Sequence, residues 1–165
     1  LLPDDQRAPY QSIFVGGGAG WPAGIVDLGI EGRFLKVLFA VPLNSSDLPA
    51  AGIGFQANAW AGLWLFGAHV ARLGGTPGLA LAVDAGFFLG LDMVVIPLPW
   101  IDFTYGPIAQ AKVLWRFADH FGLVFRGGVQ YDMGHWLVKG AAGIEEGIGL
   151  VGTTQPFGSL GIFFF

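Results

Sequence analysis

Ten charged residues recur at even spacings along the chain, a pattern that could assemble a polar interior. Within each segment they are an even number of residues apart, so on an extended strand they project to one face. They comprise six acids and four bases: Asp27, Glu31, Arg33, Asp84, Asp92, Asp102, Lys112, Arg116, Arg126 and Asp132. Bases that face acids would form a buried network of ion pairs and hydrogen bonds. A narrow path for ions or protons, or a regulated gate, is the alternative interpretation.

Serine and histidine are the residues that a lipid-modifying enzyme would need, together with a nearby acid. Ser45 and Ser46 lie in one predicted loop with Asp47, and His135 follows Asp132. No motif brings these residues together, so positions in loops and at the membrane interface are favoured for them. The chain has no cysteine, which excludes disulfides and thiolate metal sites. We expect neither a metal nor another cofactor.

The elements that position the charged residues are strands, because hydrophobicity alternates with a period of two. Between Gly78 and Gly134 the odd positions are almost all apolar, whereas the even positions are charged, polar or small in many places. On a helix, with about 100° per residue, the polar residues between Asp102 and Arg116 would scatter around the axis. An apolar face of this length is typical of strands that meet lipid.

The composition favours a membrane protein over a soluble one. Of the 165 residues 53% are hydrophobic and only 12% are charged, whereas soluble domains carry about 25% charged residues. No run of about 18 residues is sufficiently apolar and free of charge to span a membrane as a helix. The closed β-barrel is the other backbone that satisfies its own hydrogen bonds in lipid. With a net charge of −4 and no basic run, nucleic acid is not an expected partner.

The pattern predicts an all-β fold, namely a closed antiparallel transmembrane β-barrel of about eight strands with a filled polar interior. An eight-stranded barrel is just wide enough for side chains to fill it. We expect residues 1–9 to form an N-terminal entry segment and residues 10–165 to form a single transmembrane β-barrel domain. The third strand is predicted from Gly52 to Arg72, the seventh between Trp136 and Glu146, and the eighth from Gly149. A change of phase near residues 34–36 predicts a β-bulge.

The last nine residues resemble the closing strand of bacterial outer-membrane β-barrels. That strand typically ends in an aromatic residue and has apolar residues at alternate positions before it. Here the terminal aromatic residue is Phe165, and the residues at alternate positions before it include Phe157, Gly161 and Phe163. The resemblance implies a location in the outer membrane, contact with membrane lipid and insertion by the barrel assembly machinery. Phe163 and Phe165 would be the assembly signal.

The second half of the third strand is apolar on both faces, because Trp60, Trp64 and Phe66 alternate with other apolar residues. Either the tryptophans fill the interior, or this face contacts another protein. All predicted connections are short, which disfavours an adhesin or a receptor with long recognition loops. We therefore predict a structural barrel or an assembly subunit that docks another envelope protein, and a non-enzymatic role is favoured. A narrow porin-like channel and a lipid-modifying enzyme are the alternatives.

Overall fold

The computed structural model describes residues 10–40, 50–96, 100–139, 148–149 and 153–164, and every regular element among them is a β-strand. The strands are β1 (Tyr10–Ala23), β2 (Val26–Ala40), β3 (Ala50–Phe66), β4 (Gly78–Ile96), β5 (Trp100–Ala118), β6 (Phe121–Asp132), β7 (Gly134–Lys139), β8 (Ile148–Gly149) and β9 (Thr153–Phe164). Within these ranges there is no helix that is long and apolar enough to cross a membrane. The all-β prediction is confirmed for this part of the chain.

The strands form one antiparallel sheet in the order β1-β2-β3-β4-β5-β6-β9. The short strand β7 pairs with the beginning of β5, next to β6, and β8 pairs with β7. Met133 alone separates β6 from β7, and its backbone N–H donates to the Tyr105 carbonyl at 2.9 Å. β6 and β7 are thus successive parts of one long strand, and the described sheet has seven strands side by side. The segment predicted to start a separate seventh strand at Trp136 instead extends the sixth.

Local backbone geometry decides the end of β3 and the phase of β2. β3 ends at Phe66 rather than at Arg72, and the chain then turns through residues 67–77. Gly67 and Gly74 have φ near 70°, a conformation that glycine adopts without steric cost. The predicted bulge is confirmed, because the β2–β3 register shifts between Arg33 and Lys36. The extra residue exchanges the two faces of β2, which explains the change of phase in the sequence.

The sheet curls into a half-barrel with an apolar convex face and a polar concave face. Odd-numbered residues of β3 to β6 point outward and are mostly exposed, while even-numbered residues point inward and are mostly buried. Side chains reach across the concave side, since Lys112 of β5 pairs with Asp27 of β2. A small apolar core lies at one end of the interior and comprises Trp64, Val70, Ala71, Ala80, Ala82, Leu114 and Val124.

Candidate functional site in the interior

The interior of the half-barrel contains nine of the ten charged side chains singled out in the sequence. They project from the concave face of β2, β4, β5 and β6, as their alternation predicts, and all are buried or half-buried. The backbone of the tenth, Asp102, pairs with that of Asp92 across the β4–β5 ladder, and its side chain lies outside the described part. Strand parity therefore positions these residues, and the curl of the sheet brings distant ones together.

Lys112 is the centre of the first group of charges, here called the lysine cluster. Its ammonium donates to Asp27 Oδ2 and lies 4.0 Å from Asp84 Oδ2. Gln110 Nε2 donates to the same Asp84 oxygen at 3.2 Å. The Lys112 nitrogen also lies 4.7 Å from the centroid of the Trp64 ring, within cation–π distance. The lysine cluster thus holds two carboxylates and one ammonium, with a formal charge of −1.

Glu31 is the centre of the second group, here called the arginine cluster. Arg126 Nη1 donates to Glu31 Oε1 at 2.9 Å, and Asn58 Nδ2 donates to Oε2 at 2.9 Å. Arg33 Nε lies 3.5 Å from the same Oε2. Two guanidinium groups and one carboxylate give this cluster a formal charge of +1, which offsets that of the lysine cluster.

Trp60 connects the two clusters. Its indole Nε1 donates to Asp27 Oδ2 at 3.3 Å, and the Arg126 guanidinium carbon lies 4.9 Å from its ring centroid. The ring fits because its partner across the β2–β3 ladder is Gly29. A Cβ atom at Gly29 would overlap the six-membered ring of Trp60. A glycine on one strand therefore provides the space for the tryptophan on the next.

A chain of side-chain amides crosses the interior from β3 to β9. Gln56 Nε2 donates to Gln130 Oε1 at 3.2 Å, and Gln130 Nε2 donates to Gln155 Oε1 at 3.2 Å. Gln155 Nε2 then donates to Asp132 Oδ2 at 3.1 Å. The pattern of charges in the sequence did not single out these amides as members of the network, although they share the inward parity of the charges. Each amide can donate and accept at once, so the chain of amides links strands across the interior without further charge.

Arg116 has a different role from the other interior bases. Its guanidinium donates to the carbonyls of Val70 at 3.1 Å and Arg72 at 2.8 Å, and also to the Asp119 carbonyl. The bonds to Val70 and Arg72 hold the β3–β4 loop (residues 67–77) against one end of the half-barrel. Val70 and the neighbouring Ala71 insert into the apolar core and are almost fully buried. The β3–β4 loop therefore covers this end of the interior.

The predicted partner interface is divided between the two faces of the sheet. Trp60 and Trp64 point inward and are 6% and 7% exposed, whereas Phe66 is 49% exposed. Both tryptophans pack against cations of the interior, so they are removed from the surface. Of the three, Phe66 alone presents a large part of its ring to the outside.

The remaining predicted site residues lie near the ends of the described sheet or beyond it. Phe163 points inward from β9 and packs against the apolar core, whereas Phe165 lies outside the described residues. Ser45 and Ser46 also lie outside them. The backbone of His135 belongs to β7, opposite Thr104 of β5. Within the described ranges, no group of three or more histidine, aspartate or glutamate residues is placed to hold a metal ion.

Comparisons with protein-family models, with curated proteins and with solved structures gave no match to this chain. Its function must therefore be inferred from the arrangement of its own residues.

Proposed function

We propose that this chain is an integral β-barrel protein of the bacterial outer membrane, with a structural role in which it docks another envelope protein. The observation that carries the proposal is the inverted distribution of polarity. Among the described residues, three of the six largest fully buried side chains are charged or polar, namely Arg116, Gln56 and Asp27. Water-soluble domains place such residues at the surface and bury the large apolar ones.

The convex face supplies the other half of this observation. Its exposed side chains include Ile53, Phe55, Leu63, Leu65, Leu79, Val83, Phe87, Leu89, Leu91, Met93, Phe103, Trp115, Phe117, Phe121, Phe125, Val129 and Tyr131. They form a continuous apolar surface across four neighbouring strands. Soluble monomers rarely expose apolar patches larger than a few hundred Å². A bilayer is the environment in which such a surface is favourable, and closure into a barrel would satisfy the backbone there.

The filled interior supports a structural role over conduction. Charged groups contact each other directly in the lysine and arginine clusters, and Trp60 stands between them. The β3–β4 loop covers one end of the interior, where Arg116 holds it by its carbonyls. Ions would have to displace these contacts in order to pass. A barrel with a filled interior and short predicted connections serves best as a membrane anchor or scaffold for another protein.

Tryptophan fluorescence in brominated lipid tests the membrane location. Trp115 points outward and is 50% exposed, whereas Trp60 points inward and is 6% exposed. Two variants would each retain one of these tryptophans and carry phenylalanine at the other five positions. In vesicles with bromine on the acyl chains, we expect strong quenching of Trp115 and little quenching of Trp60, with unbrominated vesicles as the control. Equal weak quenching of both, or a protein that stays in water without detergent, would contradict the proposal.

A further inference from the structure

The two free edges of the sheet run in the same direction. Seven strands that alternate in direction leave the first, β1, parallel to the last, β9. Side chains support this alignment, because the Arg33 guanidinium carbon lies 4.1 Å from the Phe14 ring centroid in β1 and 5.0 Å from that of Phe157 in β9. Further along both strands, Pro22 and Phe163 line one crevice. Residue numbers therefore increase together on the two sides of the seam between β1 and β9.

The seam is wider than a direct strand pairing. In the described part of the chain, β1 is hydrogen-bonded only to β2, and β9 only to β6. The Cα atoms of β1 and β9 lie more than 8 Å apart along nearly their whole length. Paired strands lie about 4.8 Å apart, so two strands that flank a third are separated by roughly 9.6 Å. A separation of more than 8 Å is too wide for direct pairing and approaches the spacing of two strands that flank a third.

Exposure next to the seam agrees with this width. Inward-facing residues in the middle of the sheet are mostly buried, but those of β9, such as Phe157 and Ser159, are only half-buried. On β1 the residues opposite Arg33 and Glu31 are Gly16 and Gly18, and both are exposed. The concave face is therefore covered in its middle and uncovered at the two edges that border the seam.

We propose that the seam takes one extended segment of a partner protein, which pairs antiparallel with both β1 and β9. This inference rests on the proposed membrane location, because an open sheet edge does not persist in hydrocarbon. A strand that is antiparallel to both edges satisfies both, since the two edges are themselves parallel. The partner segment would span about 12 residues, the length of β9. Its outward side chains would be apolar and its inward side chains polar, to match lipid and the amides of the interior.

Two other occupants fit the seam less well. The edge strand of a second copy is already paired on its other side, so it cannot fill a space that is flanked by two edges. A second copy inserted in the same orientation would also offer only parallel pairing. Within this sequence, the stretches outside the described residues have at most nine residues, and the three longest contain proline or adjacent glutamates. Proline lacks the N–H donor that a strand in the seam needs on both sides.

Cysteine cross-linking distinguishes a filled seam from direct closure, because the native chain has no cysteine. The test variant carries Ala19→Cys and Leu160→Cys, at exposed, outward positions at corresponding heights on β1 and β9. The matched control carries Phe125→Cys and Leu160→Cys, which are Cα partners across the β6–β9 ladder. A disulfide requires a Cα–Cα distance below about 7 Å. On mild oxidation in native membranes, we expect a disulfide in the control and none in the test variant. A disulfide across the seam would overturn the proposal.

Photo-cross-linking identifies the occupant. A photoreactive phenylalanine derivative at Val15, Ala19 or Leu160 would face or border the seam, whereas at Leu89 it would face lipid far from the seam. We expect the three seam positions to label one segment of one partner. Because that segment is antiparallel to β1, Val15 should label a residue that lies later in the partner's sequence than the residue labelled by Ala19. Leu89 should label no protein. Adducts of twice the mass of the chain would indicate a second copy, and labels from Val15 and Ala19 in the same order along the partner would indicate a parallel strand. Either result, or the absence of adducts at the seam, would refute the proposal. Quenching of the variant that retains Trp115 in brominated vesicles, measured separately, would show that the membrane location still holds.

Discussion

Replacement of Lys112 by methionine should destabilise the protein by about 3–5 kcal/mol, the usual cost of removing one partner from a buried ion pair. The side chains of Lys112, Asp27 and Asp84 are 7%, 1% and 0% exposed. The substitution removes the ammonium that faces both carboxylates, so the formal charge of the lysine cluster changes from −1 to −2. Methionine has a similar volume, so little of the loss would come from packing. The lost contact with the Trp64 ring would add about 0.5–2 kcal/mol.

Reversible unfolding in urea, performed in lipid vesicles and followed by tryptophan fluorescence, measures this loss. Lys112→Met should unfold at a lower urea concentration, and Arg72→Gln, at an exposed position, should change stability by less than about 0.5 kcal/mol. Adding Asp84→Asn to Lys112→Met should restore most of the loss, because the lysine cluster then carries one negative charge again and still offsets the arginine cluster. If Lys112→Met unfolds within about 1 kcal/mol of the native chain, or if the asparagine restores nothing, the proposed charge balance is refuted.

Three further predictions concern packing, the loop and conduction. Gly29→Val should lower the free energy of unfolding by about 1–3 kcal/mol, because its side chain would overpack against Trp60. Gly17→Ala, where a Cβ meets nothing within 4 Å, should have little effect in the same unfolding assay. Equal losses of stability in both variants would argue against the steric explanation. Arg116→Met should release the β3–β4 loop and accelerate tryptic cleavage after Arg72 by about tenfold or more. The reason is that each hydrogen bond to a charged donor contributes about 1.5–3 kcal/mol. An unchanged cleavage rate would show that other contacts hold the loop. The native protein should give no discrete conductance steps in planar bilayers, and regular steps would favour the channel alternative.

The nine described charged side chains all lie on the concave face of the sheet. Side-chain direction in a strand depends only on parity, which is a local property, so residues as distant as Asp27 and Asp132 could be assigned to one face without knowledge of the fold. The bulge near Lys36 was also accessible, because it exchanges the two faces within a single strand. The strand count was less accessible. The chain passes from β6 to β7 across Met133 with a small shift in register, and in the sequence this resembles a break between two strands.

Only the tertiary structure decided which inward-facing residues meet. Lys112 and Asp27 are 85 residues apart, and nothing in their local patterns distinguishes that pairing from others of the same parity. Arg116 has the same inward parity as Lys112, yet its guanidinium holds the carbonyls of the β3–β4 loop, because that loop folds over the end at which Arg116 lies. The parallel edges of the seam likewise depend on the number of strands, a property of the whole sheet. The sequence by itself thus determined the two faces, while the curl and the strand count determined the contacts, because contacts depend on how distant strands are brought together.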